Sequence, residues 1–370
     1  MSNKLNDSPL LNSIFTNFKP SILVIVLLSG YTLTQMLIGS IFVLVFPSAF
    51  FIDPIKLALL SLMVLLVSNA LVIPILLKWK SFNYQPPLSK NSKYSPIFLL
   101  LLLLVASVSI IEIVVTIIDF GLNLIHVDPT LASPYDEYFN TPINLLGFMI
   151  LITIFGPILE ELIFRRYTIS TILNQCQSKF LVICTSALIF SLSHTVTNLA
   201  TSVRYAILHF FATFILGIIL AIIFLRWGLK YAILFHSFWN FYSLIVQLLI
   251  NDGAFQMVDL MISLSMIVTF FLAVPSIFRL QRVLDFLSEV ILPSRTIILF
   301  TSLNFLLIIT YELIFPLILL IIPPDIKAGL TFIYQACTFL VATILIDKEN
   351  KRMKRFKIDL NLLYNEVSLE

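Results

Sequence analysis

Stretches of twenty or so mostly apolar residues recur about ten times along the chain, and no other feature constrains its fold as tightly. They lie near 21–46, 55–77, 96–118, 143–164, 180–198, 205–225, 231–250, 255–278, 296–322 and 329–346. As an α-helix, about 20 such residues reach across the roughly 30 Å hydrocarbon core of a bilayer. A helix satisfies its own backbone hydrogen bonds, which lipid cannot do. The expected fold is therefore all-α, a polytopic membrane bundle of about ten transmembrane helices. Charged residues make up only 12% of the chain against 59% hydrophobic, where a soluble domain carries about 25% charge. A soluble globular enzyme and a disordered chain are both excluded. The first stretch is polar in its middle (Ser29, Gly30, Thr32, Thr34, Gln35) and lacks a small-residue cleavage site. It reads as a retained span, not a signal peptide.

Lysine and arginine set the expected orientation. With the N-terminus inside and ten spans threaded, only Lys56, Arg204 and Lys327 fall outside; of 23 basic residues that leaves 20 inside. The acidic loop containing Asp128, Asp136 and Glu137 also falls outside. Both termini are expected in the cytoplasm. The net charge of +3 then reflects topology, with a basic tail at 348–357 able to attract anionic lipid headgroups, and no nucleic-acid partner is expected. Cys176, Cys184 and Cys337 form no close pair, so no disulfide framework follows. With only nine glycines and no glycine-rich loop, no phosphate cradle is expected.

Ionisable side chains inside spans cost about 3 kcal/mol each and are functional candidates for that reason. Three clusters stand out: Glu160-Glu161-Leu162-Ile163-Phe164-Arg165, Phe190-Ser191-Leu192-Ser193-His194 and His236-Ser237-Phe238-Trp239-Asn240. Glu161 and Arg165 are four apart and share a helix face, while Glu160 points about 100° away. His236 and Asn240 share a face in the same way, and Phe190 sits one turn below His194. If the fourth and fifth helices form a hairpin turning near residues 177–178, Glu160 and His194 are each about 17 residues from the turn and lie at one height. His236 is six residues past Lys230, about 9 Å into its helix, so the three clusters converge on a cavity open to the cytoplasm. His209, at the outer start of the sixth span, and His126 are expected far from it. Glu112, Asp119, Asp259 and Glu312 lie toward the outer half and receive no role.

A carboxylate beside a histidine can hold and deprotonate water, and a second histidine with an amide can donate to an oxyanion. Two histidines and a glutamate (Glu160, His194, His236) are equally a zinc-type ligand set. Both schemes give hydrolysis, and the residues alone leave both open.

The motifs Glu160-Glu161-x-x-x-Arg165, Phe190-x-x-x-His194 and His236-x-x-x-Asn240 resemble those of the CPBP family of intramembrane proteases. That family groups CAAX prenyl endopeptidases with bacteriocin-processing and bacteriocin-immunity proteins. The resemblance implies that Glu160 and His194 activate water, that His236 and Asn240 form the oxyanion hole, and that Glu161 and Arg165 support them. It leaves a divalent metal such as zinc open. The implied organisation is N-terminal helices over 1–142, a catalytic core over 143–250, additional helices over 251–346 and a basic tail over 347–370. The expected function is an endopeptidase cutting a leader peptide or membrane-protein segment near the cytoplasmic leaflet. Abundant Ile, Phe, Asn and Lys point to an AT-rich genome and a bacterial plasma membrane, where protein prenylation is generally lacking. The alternatives are a non-catalytic membrane scaffold or bacteriocin self-immunity protein, and a transporter, for which matched pairs of broken helices are missing.

Overall fold

The computed structural model describes residues 9–46, 54–78, 96–127, 142–173, 179–199, 202–251 and 253–277, with isolated positions from 333 to 340. Every regular element among these residues is helical. The order is α1 (Pro9–Val45), α2 (Pro54–Lys78), α3 (Pro96–Leu124), a segmented rod over 142–173, α7 (Lys179–Leu199), α8 (Val203–Trp227), α9 (Leu229–Asn251) and α10 (Phe255–Ile277). The rod consists of α4 (Pro142–Ile150), a π-helical turn π1 (Leu151–Phe155), α5 (Gly156–Glu160), a second π-helical stretch π2 (Glu161–Tyr167) and α6 (Thr168–Leu173).

These helices coincide with the first eight apolar stretches. Five are long and apolar enough to cross a membrane: Ile22–Val45, Leu100–Leu124, Leu145–Leu173, Val203–Trp227 and Leu229–Ile250. Leu62–Lys78, Phe180–Thr195 and Phe255–Thr269 are shorter apolar helices. Leu44, Ile75, Ile117, Phe120 and Leu264 lie exposed on their outer faces, as lipid contact requires. The chain is a multi-pass membrane protein. The expected spans 296–322 and 329–346, the acidic loop, Glu312 and the basic tail lie outside the described residues, apart from the isolated helical positions after 332.

The polar middle of α1 is satisfied largely from within. Thr32 and Thr34 hydroxyls donate to the carbonyls of Leu28 (3.0 Å) and Gly30 (2.8 Å) one turn back. At the far end of α2, carbonyls that have no helical partner accept from the rod: Arg166 Nη2 donates to Leu77 O (3.3 Å), and the Tyr167 hydroxyl donates to Leu76 O.

The α7–α8 hairpin is packed closely because both helices present small residues. A Cβ placed on Gly217 would stand 2.9 Å from Ala187 Cα, an approach that small residues permit between membrane helices. Ser191 Oγ donates to Phe210 O (2.7 Å) across the same seam.

Helix α3 is tied on two sides. Arg204 of α8, nearly buried, donates through Nε and Nη2 to Asp119 Oδ1 (2.8 and 2.6 Å). Ser109 donates to Ser265 Oγ and accepts from Thr269 Oγ1, both 2.9 Å, which joins α3 to α10. Asp119 thus acquires an ion-pair partner. Asp259 stays on the exposed face of α10.

Candidate active site

Of the rod's two π-helical segments, π1 precedes the first motif and π2 contains it from Glu161 on. In π1 the Gly156 N–H bonds to Leu151 O, five residues back. That bond withdraws the ordinary four-residue donor from Ile152 O. The five-residue donor would be Pro157, which has no N–H. A backbone carbonyl without a donor is costly at membrane depth, and Asn240 Nδ2 of α9 supplies the bond to Ile152 O at 2.7 Å. Gly156 suits this turn because a Cβ there would stand 3.0 Å from Leu151 O and 3.7 Å from Glu160 Oε1.

Glu160 ends α5 and Glu161 opens π2, so adjacent carboxylates diverge. Glu161 points into the protein and is fully buried with Arg165; Nε and Oε2 lie 3.3 Å apart. The Arg165 guanidinium also donates to Ser186 Oγ (3.3 Å) and lies 4.7 Å over the Phe190 ring. Ser186 in turn donates to Phe164 O (2.8 Å).

Glu160, about a quarter exposed, faces two imidazoles. Its Oε2 lies 3.4 Å from His194 Nε2 and 3.7 Å from His236 Nε2, and this buried oxygen makes no hydrogen bond within the protein. The partners of the rings fix their tautomers when neutral. His194 Nδ1 lies 2.8 Å from Phe190 O, and a carbonyl only accepts, so Nδ1 carries the hydrogen. His236 Nδ1 lies 3.0 Å from Glu161 Oε1 and carries its hydrogen for the same reason. Both Nε2 lone pairs then turn toward Glu160. Three acceptors facing one another are satisfied by a shared proton or by a water that donates to two of them. Beneath His194, the Phe190 ring packs at 4.4 Å and Phe164 at 6.5 Å between centroids.

The structure brings together Glu160, Glu161, Arg165, His194 and His236. Asn240, one turn beyond His236, is on the same helix face but has its amide nitrogen on the rod's backbone. Among the described residues, no group of three or more His, Cys, Asp and Glu side chains is arranged to hold a metal ion.

One expectation is overturned. The His209 ring lies 6.1 Å from that of His194 between centroids, beside the site and not remote from it. It stacks on Tyr205 of the preceding turn at 5.5 Å and 15°. His194 is five residues before the end of α7 and His209 six after the start of α8. Equal distance from a hairpin turn gives equal height, the same rule that places Glu160 beside His194. Depth counted from one membrane face alone conceals the pairing.

Residues 142–242 match the family model described as type II CAAX prenyl endopeptidase Rce1-like. The Rce1-like region holds all three motifs, and the match supports the resemblance to CPBP intramembrane proteases. It supports a CAAX-type protease as the general class of the activity. No curated protein and no solved structure matches the chain. His209 also falls within the Rce1-like region, whereas α1 to α3 and α10 fall outside it.

Proposed function

We propose that the chain is an intramembrane endopeptidase in which Glu160 and His194 activate water for attack on a peptide bond. The observation that carries this reading is Glu160 Oε2, buried and without a hydrogen bond, facing the Nε2 atoms of His194 and His236 at 3.4 and 3.7 Å. A water in that space donates one hydrogen to the carboxylate and another to an imidazole, leaving its oxygen free for the carbonyl carbon. The carbonyl π pair moves to oxygen. On collapse the C–N bond breaks, and the proton taken from water passes to the departing amine.

His236 is oriented by Glu161, and Glu161 is neutralised by Arg165, a chain of the carboxylate–histidine kind that fixes ring and tautomer. In this reading Asn240 contributes to the oxyanion through its second amide N–H, the first being held by Ile152 O. The substrate is a membrane-associated or leader peptide. In this reading cleavage takes place near the cytoplasmic leaflet of a bacterial plasma membrane.

The test is peptidomics of membrane fractions from cells carrying wild type, Glu160→Gln or His194→Ala. A peptide accumulating in both variants, with both proteins inserted at normal levels, is the expected result. Full processing by either variant would sink the mechanism, and a preserved phenotype with Glu160→Gln would favour a non-catalytic scaffold or self-immunity protein.

A further inference from the structure

One face of α9 grips the rod at two places. Asn240 Nδ2 donates to Ile152 O in π1 (2.7 Å), and His236 Nδ1, one turn earlier, donates to Glu161 Oε1 at the start of π2 (3.0 Å). Between those bonds runs α5, Gly156–Glu160, with a π-helical segment at each end. Glu160 is its last residue, so the rotation of this short helix decides where that carboxylate points.

A π-helical turn holds one residue more than an α-helical turn. Each residue of an α-helix advances about 100°, so the extra residue in π1 sets every following side chain back by that angle. With α4 where it is and no π1, Leu159 would take the place of Glu160, and Glu160 that of Glu161. Leu159 instead packs in the core, and Glu160 Oε2 stands 3.4 and 3.7 Å from the Nε2 atoms of His194 and His236. Pro157 leaves one carbonyl short in either register. A straight α-helix would deprive Thr153 O, four residues before the proline, of its donor. The π1 register deprives Ile152 O, whose four-residue donor, the Gly156 N–H, bonds to Leu151 O instead. Asn240 reaches Ile152 O, and so favours the second register from outside the rod.

We propose that Asn240 is a positioning residue for Glu160: its bond to Ile152 O holds π1 open, and π1 turns Glu160 rather than Leu159 toward the two imidazoles. The N–H on Ile152 O performs this role, and the second N–H remains for the oxyanion. The catalytic meaning of the register rests on the endopeptidase reading, whereas the register itself does not.

The experiment reads the register by cross-linking in the full-length chain, with Cys176, Cys184 and Cys337 replaced by Ala. His194→Cys is paired with either Glu160→Cys or Leu159→Cys, and a two-carbon bis-methanethiosulfonate bridges the thiols, scored by intact mass. Ser191→Cys with Thr213→Cys, whose hydroxyls lie 3.3 Å apart, reports that the α7–α8 seam is folded. Pro157→Ala returns an N–H at 157 and lets the rod close as a straight helix, so Asn240 alone then chooses the register. With Pro157→Ala, the pair at 160 is expected to link faster than the pair at 159, as in wild type. With Pro157→Ala/Asn240→Leu the order is expected to reverse by about tenfold or more, the shift that one lost buried hydrogen bond produces. If position 160 still links faster in the double variant, the proposal is overturned. If Pro157→Ala alone reverses the order, the proline holds the register and the proposal falls as well. Loss of the Ser191–Thr213 link in the double variant overturns it too, because Asn240 then braces the whole bundle and not one turn. No substrate is needed, so the two ideas fail separately. Cleavage by Glu160→Gln would sink the endopeptidase reading and leave the register standing, and an unreversed cross-link would do the opposite.

Discussion

Replacing Arg165 by Met isolates the charge that neutralises Glu161. Both side chains are fully buried, with Arg165 Nε 3.3 Å from Glu161 Oε2. Met keeps much of the length of the arginine stem and can refill the apolar volume beside Phe190, so little of the loss comes from a cavity. What disappears is the cation, together with its contact to Ser186 Oγ (3.3 Å). Removing one member of a buried pair costs about 3–5 kcal/mol, because the remaining charge has no compensation. The His236 N–H bond to Glu161 survives the change, which places the expected loss near the lower end, about 3 kcal/mol. That is a large part of a total stability of about 5–15 kcal/mol. Reversible unfolding of purified protein by SDS in mixed micelles measures it. The double variant Glu161→Gln/Arg165→Met removes both charges and is expected to regain most of the stability. It remains inactive, because His236 loses the carboxylate that orders its ring. If Arg165→Met were as stable as wild type, or the double variant no more stable than the single one, the pair would not be the internal brace described.

Three further outcomes follow from separate parts of the fold. Gly217→Val forces side-chain atoms against the Ala187 backbone, where even a Cβ would stand at 2.9 Å. It should cost about 1–3 kcal/mol and lower the melting temperature, and an unchanged melting temperature would show that the seam can yield. Arg204→Ala strands Asp119, but that carboxylate is one-third exposed, so the loss should stay below about 2 kcal/mol and shrink with Asp119→Asn in the same chain. A loss as large as that of Arg165→Met would mean that this end of α3 excludes water more completely than its exposure indicates. In the metal-free mechanism proposed above, dialysis against EDTA leaves peptide cleavage unchanged, and a loss that zinc restores would make Glu160, His194 and His236 a ligand set.

Local spacing and the hydrophobic pattern carry much of this molecule in the sequence. Runs of apolar residues fix where helices form, because a membrane segment must close its own hydrogen bonds. The four-residue step makes Glu161 and Arg165 neighbours, sets Phe190 under His194 and turns Glu160 away from both, because side chains four apart share a face. Equal distance from a turn brings Glu160 to His194, since antiparallel helices rise at the same rate. The same arithmetic about the α7–α8 turn brings His209 to His194, although depth counted from one membrane face conceals it.

Other features exist only in three dimensions. The first π turn, π1, is fixed by the competition for carbonyls around Gly156 and Pro157, and the outcome depends on whether another helix can satisfy the one left over. Asn240 does so from α9, 88 residues away, which no local pattern encodes. Arg204 and Asp119 looked like a stray outer cation and an unassigned acid until the crossing of α3 and α8 placed them 2.6 Å apart. The sequence determined which segments enter the membrane and which charged groups they must carry there, because transfer into lipid depends on composition and helical period. The tertiary structure decided which of those groups share a space, because that depends on helix crossing, rotation and the loss or gain of single backbone hydrogen bonds.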